Sequence, residues 1–207
     1  MTSLRRSEEP VAQIRKFLAE IDARWKAVGG EPITLQVIGS AALMLQCDYD
    51  RGTKDGDILE SKDFPPAVKT QLLAIADKGS DLSKEFRIYI DIVRIAILFV
   101  PQKLIFHPVP DLQLKNFSVE VLDVVDVVVS KLKRFNQSDK NDIRAMADRG
   151  LVDHKKLIAR FEAALDMFST DARADEFPQY IKNLRFVERD ILDVQPVDIE
   201  LPPWMQD

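Results

Sequence analysis

Apolar positions along the chain fall into two regimes. In the first, Val11, Ile14, Leu18, Ile21 and Trp25 recur at spacings of three and four, the stripe of an amphipathic helix. Ser7-Glu-Glu-Pro10 suits its start, and Gly29-Gly30 its stop. Residues 33–38 alternate and read as a strand; Gly39-Ser40 breaks it, and residues 41–46 read as a short helix. Residues 55–59 resemble a second short strand, and residues 65–78 a helix stopped by Gly79. Residues 87–100 are rich in Ile and Val without Gly or Pro, and read as a strand broken near its middle. Pro101, Pro108 and Pro110 mark a long loop before a last strand over residues 118–122.

From Asp123 the pattern turns helical. Asp123, Ser138 and Asp153 each stand where an N-cap opens a helix, and Gly150 ends the middle one. A fourth helix is predicted over residues 174–194, with Pro178 near its start. The tail, residues 195–207, carries Pro196, Pro202 and Pro203 and is expected to run extended over the surface. The fold class that follows is α/β (α+β): a small mixed sheet with flanking helices, then a C-terminal helical bundle. Residues 1–122 hold the sheet and its N-terminal helix; residues 123–207 form the helical region.

Composition narrows the chemistry. One cysteine, Cys47, excludes an internal disulfide and a cysteine-based zinc site, and two histidines, His107 and His154, cannot build a His-rich one. Any metal is therefore expected to be hard and held by oxygens. A net charge of −5 does not advertise a nucleic-acid or anionic-membrane surface. The longest apolar run, residues 95–100, is far short of a span. The first ten residues carry acids and no apolar core, unlike a signal peptide. A cytoplasmic protein with no membrane partner is the expectation.

The most informative stretch joins Ile38-Gly-Ser-Ala-Ala-Leu-Met-Leu45 to Arg51-Gly-Thr-Lys-Asp-Gly-Asp57. A strand that turns through Gly-Ser into a helix leaves backbone N–H groups at the helix N-terminus, an anion site to which Ser40 adds a hydroxyl. Gly39 lets a phosphate approach the backbone. Asp55 and Asp57, two apart on a strand, share a face, and side by side they suit Mg²⁺ (or Mn²⁺). Asp91 lies inside the apolar strand Ile88-Tyr-Ile-Asp-Ile-Val93. Facing the first two across a sheet, it would complete a clamp for phosphoryl transfer.

These residues, Gly39-Ser40, the helix with Ala42, Leu43 and Leu45, and Arg51-x-Thr53-x-Asp55-x-Asp57, resemble the signature of the DNA polymerase β-type nucleotidyltransferase superfamily. More narrowly they are similar to the minimal prokaryotic branch that includes AbiEii-type toxin nucleotidyltransferases. The resemblance implies a small mixed sheet whose Gly-Ser turn binds a nucleoside triphosphate, with Arg51 and Thr53 in the same loop. It implies that Asp55 and Asp57 hold metal and that Asp91 is the third acid. One departure stands out. The residue between the paired acids is apolar in the family and is Gly56 here, and glycine loosens a strand.

Laid on a wheel, residues 123–135 put Val124, Val125, Val127, Val128, Val129, Leu132 and Phe135 on one arc. Asp126, Ser130, Lys133 and Arg134 fall on the other. Lys131 falls on the apolar arc. It either snorkels to water or points inward at a buried anion such as a triphosphate. The resemblance favours the second, through the family's Lys-Leu pair, here Lys131-Leu132. Asp139 and Asp142 share a face of the next helix; acids also belong in a first helical turn. The family's Asp-x-x-Asp carries them over as supporting residues. Residues 131–160 hold nine Lys/Arg against four Asp/Glu, a local basic stripe that could hold an RNA backbone or simply face water.

The expected function is transfer of a nucleoside monophosphate from a nucleoside triphosphate to a hydroxyl acceptor, a tRNA or other RNA 3′ end or a protein. The branch resemblance adds a toxin role with a cognate antitoxin. The rival is a nucleotidyltransferase-like module that binds a nucleotide or a partner without turnover. A purely structural helical protein leaves the Asp pair unexplained.

Overall fold

The computed structural model describes residues 10–26, 31–60, 64–109, 111–168 and 172–199. The expected helix opening at Ser7–Glu9, its Gly29-Gly30 stop and the tail beyond residue 199 lie outside the described residues. The chain divides into two compact units: residues 1–95 with 106–122, and residues 96–105 with 123–207.

The first unit is a five-stranded mixed sheet with flanking helices. Its strands are β1 (Ile33–Val37), β2 (Asp55–Glu60), β3 (Tyr89–Arg94), β4 (Phe106–Pro108) and β5 (Phe117–Leu122), in the order β3-β2-β1-β5-β4. β1 runs antiparallel to β2 and parallel to β5; β2 and β3 are parallel, and β4 pairs antiparallel with β5. The helices are α1 (Pro10–Arg24), α2 (Gly39–Cys47), α3 (Pro66–Ala76) and α4 (Asp81–Phe86). The predicted apolar stripe of α1 is its buried face, joined by Phe17, and Trp25 meets the Phe117 ring edge-on at 4.8 Å.

Alternation along the strands separates two sheet faces. Leu35, Val37, Ile58, Ile90, Val119 and Val121 share the buried one. Register puts Gln36, Asp55, Asp57, Tyr89, Asp91 and Glu120 on the other; these six are half-buried or exposed, while Leu59 and Leu122 on the same face are buried. Val37, Gly56, Ile58 and Ile90 meet Ile14, Phe17 and Leu18 of α1 around a cavity of about 10 Å³. Gly56 therefore belongs to the apolar face, and its missing side chain is felt there rather than among the acids.

The second unit contains α5 (Val124–Arg134), α6 (Gln137–Asp148), α7 (His154–Phe168), a 3₁₀ turn over Ala172–Glu176 and α8 (Phe177–Asp190). Asp123 caps α5 by accepting from Val125 N–H at 3.0 Å, and Asp153 accepts from Lys156 N–H at 2.7 Å at the start of α7. Phe99, Phe161, Phe177 and Tyr180 form its aromatic core.

Several expected elements move. α6 is capped by Asn136, not Ser138: Asn136 Oδ1 accepts from Asp139 N–H at 3.0 Å, while Asp139 accepts from Asn136 N–H at 3.1 Å. That reciprocal pair satisfies two helix-end donors at once, which Ser138 alone could not. Asp126 is fully buried, not on a polar arc, because Arg160 clasps both its oxygens at 2.6 Å and Ile105 N–H donates to it at 3.2 Å. Cys47 is half-buried. α4, capped by Ser80, and the edge strand β4 were not expected, and the predicted last helix is a 3₁₀ turn followed by the shorter α8. Among the described residues, no helix is long and apolar enough to cross a membrane.

Candidate active site

β1 ends at Val37 and the chain enters α2 at once, with Gly39 as the first helical residue at φ +65°. Gly39 and Ser40 thus begin the helix instead of merely separating it from the strand. Ile38 occupies the N-cap in extended conformation and supplies no side-chain cap. The first N–H groups of α2 are therefore not capped from that position, which suits an anion. Residues Ala41, Ala42, Leu43, Met44 and Leu45 are all buried, so the helix carrying this end is anchored on every side.

The Arg-x-Thr loop closes onto the same place. Arg51 Nη1 donates to Ser40 Oγ at 2.7 Å, and Thr53 Oγ1 donates to the Asp55 carbonyl at 3.1 Å. One bond sets a guanidinium beside the start of α2; the other fixes the chain where β2 begins. Ile38 N–H donates to the Asp57 carbonyl at 2.9 Å, which holds the end of β1 against β2.

Asp57 is the closest acid to the helix start. A Cβ added to Gly39 would stand 2.7 Å from Asp57 Oδ2. Asp91 is the register partner of Asp57 on the parallel strand β3, and Asp55 is the partner of Tyr89. Register partners on parallel strands project to one side, so the structure brings Asp55, Asp57 and Asp91 onto one face. Asp55 and Asp57 are half-buried and Asp91 is exposed. Their shared neighbour is Tyr89, whose hydroxyl is pushed above its ordinary range by burial and then by the charges of Asp55, Asp91 and Asp57. Lys78 sits 5.8 Å from the centre of the Tyr89 ring. Sequence reasoning passed over Tyr89, although its place two residues before Asp91 already set it on the same face.

All three acids offer oxygen donors, the chemistry of a hard divalent cation. Their side chains share a face without meeting at a point. Among the described residues, no group of three or more His, Cys, Asp or Glu side chains could hold a metal ion.

Lys131, Asp139 and Asp142 lie together in the second unit. Lys131 is 6% exposed, so it does not snorkel to water. Its Nζ lies 2.8 Å from Asp142 Oδ2 and 3.4 Å from Asp139 Oδ1, and both acids are buried. The buried anions it meets in this structure are carboxylates of its own chain. Asp139 is also gripped by Arg134, through Nε at 2.9 Å and Nη2 at 2.8 Å. Burial, the largest influence on Asp139, works to raise its pKa. The Arg134 hydrogen bond, the charges of Lys131 and Arg134, and the Asn136 N–H together outweigh it and hold the carboxyl below its ordinary value.

The basic stripe is partly neutralised by acids of the same unit. Lys131, Arg134, Lys156 and Arg160 pair with Asp142, Asp139, Asp123 and Asp126. His154 is half-buried, with Nε2 2.8 Å from Oε1 of the fully buried Glu188. His107 lies in β4.

A family model described as a nucleotidyltransferase of unknown function (DUF6036) matches residues 16–189, and the chain belongs to that family. No curated protein and no solved structure matches the chain.

Proposed function

We propose that this nucleotidyltransferase-family protein transfers a nucleoside monophosphate from a nucleoside triphosphate to a hydroxyl acceptor, with the three aspartates of the first unit as its centre. One observation carries the reading: Asp57 lies against Gly39 at the start of α2 while Asp91 is its register partner on the same face. Anion-binding N–H groups and a face of acids are thereby adjacent, the two halves of a phosphoryl-transfer site.

In this reading the phosphates lie on the N–H groups that open α2, next to Ser40 and the Arg51 guanidinium. Asp55, Asp57 and Asp91 would hold Mg²⁺ (or Mn²⁺) once their side chains turn toward one point, and the ion would neutralise phosphate charge. Asp91, the most exposed of the three, takes the proton of the acceptor hydroxyl. That oxygen forms its bond to the α-phosphorus as the bond to pyrophosphate breaks. Asp139 and Asp142 hold Lys131 by ion pairs and support the helices of the second unit. Lys131, its ammonium engaged by both, has no part in the transfer in this reading. The Arg-x-Thr-x-Asp-x-Asp loop supports a place near the AbiEii-type branch. A tRNA or protein acceptor, a toxin role and a cognate antitoxin follow from that likeness.

A second reading, a nucleotide-binding module without turnover, is favoured by two observations. The acids are not gathered to metal-holding distance, and the residue between two of them is a glycine, Gly56, which leaves that stretch of β2 easier to deform. One experiment separates the readings. Wild type and the Asp55→Asn/Asp57→Asn variant are incubated with Mg²⁺, each labelled triphosphate in turn, total tRNA and a protein extract. Transfer with pyrophosphate release by the wild type alone supports the enzyme. Transfer that persists undiminished in the variant defeats the site. Triphosphate bound by the wild type without release supports the module.

A further inference from the structure

The face that carries the three aspartates also carries a hydrogen-bonded pair that the site above does not use. Gln36 of β1 and Glu120 of β5 are register partners, and Gln36 Nε2 donates to Glu120 Oε2 at 3.3 Å. Both side chains are half-buried. Val37 stands opposite Ile58, so Gln36 is level with Leu59, two residues along β2 from Asp57 and one strand across. At about 3.3 Å per residue and 4.8 Å between strands, the pair's backbone lies roughly 8 to 12 Å from that of Asp57. Side chains of this length span the remaining distance to the sugar of a nucleotide whose phosphates lie at Gly39.

The chemistry of the pair restricts what it can meet. Its hydrogen bond uses one amide hydrogen and one carboxylate oxygen. Gln36 Oε1, Glu120 Oε1 and the second amide hydrogen remain, and none of them makes a further hydrogen bond among the described residues. A carboxylate repels phosphate, so it faces the uncharged part of a nucleotide. Two acceptor oxygens and one donor complement a pair of neighbouring hydroxyls, each able to donate and to accept. A ribose presents such a pair whatever its base, and an acidic side chain is a known partner for it in other nucleotide sites.

We propose that Gln36 and Glu120 read the ribose 2′,3′-diol of the bound nucleotide, and that the protein selects ribonucleoside over 2′-deoxyribonucleoside triphosphates. The assignment rests on the nucleotide reading of the neighbouring aspartate site. Gln36 fixes the Glu120 carboxylate by donating to one oxygen, leaving the other to accept from the diol. A purely cross-strand role for the pair would stabilise the sheet and leave sugar preference untouched.

The test is equilibrium dialysis with Mg²⁺ and each ribo- and 2′-deoxyribonucleoside triphosphate, on wild type, Glu120→Gln, Gln36→Ala and Thr34→Ala. Wild type should bind its preferred ribonucleotide at least about tenfold more tightly than the 2′-deoxy counterpart, the scale of a hydrogen bond to a charged group. Glu120→Gln keeps the side-chain size and should bring the ribonucleotide down to the 2′-deoxy level. Gln36→Ala should narrow the preference by a smaller factor, which keeps the test open if the first variant folds poorly. Thr34→Ala, exposed on the same face, should keep the preference. Equal binding of both sugars by the wild type, or a full preference retained in Glu120→Gln, overturns the diol assignment and leaves the nucleotide site standing. Binding of no triphosphate by the wild type overturns both.

Discussion

Gly39 and Asp57 occupy each other's space: the position a Cβ would take on Gly39 lies 2.7 Å from Asp57 Oδ2, and Gly39 holds φ +65°. Two separate demands therefore select glycine. The left-handed backbone disfavours any side chain, and the carboxylate fills the room a side chain needs. Gly39→Ala should cost about 1–2 kcal/mol from the backbone alone, and more from displacing Asp57. Urea unfolding measures the total. Repeating the substitution in an Asp57→Ala background removes the contact and should leave only the backbone part, a cycle that isolates the coupling between the two residues. Loss of nucleotide transfer in Gly39→Ala at a temperature where the protein stays folded would tie that coupling to the reaction.

Gly56 presents the opposite case. Its backbone is an ordinary strand residue, and an added Cβ would meet Ile90 Cδ1 at 3.2 Å beside the small cavity lined by Ile14, Phe17 and Ile58. The contact is with the end of a flexible side chain that has space next to it. Alanine also restricts the unfolded chain. Gly56→Ala should therefore raise stability by about 0.5–1 kcal/mol, read as an increase in Tm. A decrease would mean that Ile90 cannot move and that the α1–sheet interface is closed to even one methyl group.

The strand–turn–helix around Gly39-Ser40 and the common face of Asp55 and Asp57 were legible because both depend on local periodicity. Asp91 was legible as a carboxylate out of place in an apolar strand, although only the β2–β3 register shows which way it faces. Gln36 and Glu120 were not legible. Their meeting depends on the pairing of strands more than eighty residues apart, which no local pattern encodes. Asp126 misled for a related reason: it belongs to the interior only because Arg160, two helices later, neutralises it. α4 was missed because six residues are too few to display a helical period. The signal for the true cap of α6 was present in Asn136-x-x-Asp139, but Ser138 was read in its place.

On the helical wheel alone, Lys131→Met is compatible with the apolar arc. The structure reverses that expectation for stability, because the ammonium lies 2.8 Å from the fully buried Asp142. Removing it strands a carboxylate in a poorly solvated place, at a cost of about 3–5 kcal/mol. The loss should appear as a lowered denaturant midpoint. Adding Asp142→Leu, which removes the stranded charge, should recover most of it. Failure of the second substitution to recover stability would place the energetic weight of the network on Asp139.

Asp139 gives a prediction in pH. Its folded pKa is depressed, because the pull of Arg134, Lys131 and the Asn136 N–H outweighs burial. A carboxyl that binds its proton less readily when folded stabilises the fold above its unfolded pKa of about 3.9. That contribution is lost as pH falls through the depressed folded value. Asp139→Asn keeps the size and part of the capping but removes the charge, so its deficit relative to wild type should be largest from neutrality down to about pH 5. Below about pH 4 the gap should shrink, because the unfolded wild-type chain takes up a proton at this position there and the folded one follows at lower pH. Denaturant midpoints of the two proteins across that range make the comparison. A gap that stays constant between pH 7 and pH 3 would mean that Asp139 acts through shape and capping alone, and that its two cations contribute nothing to holding α5 and α6 together.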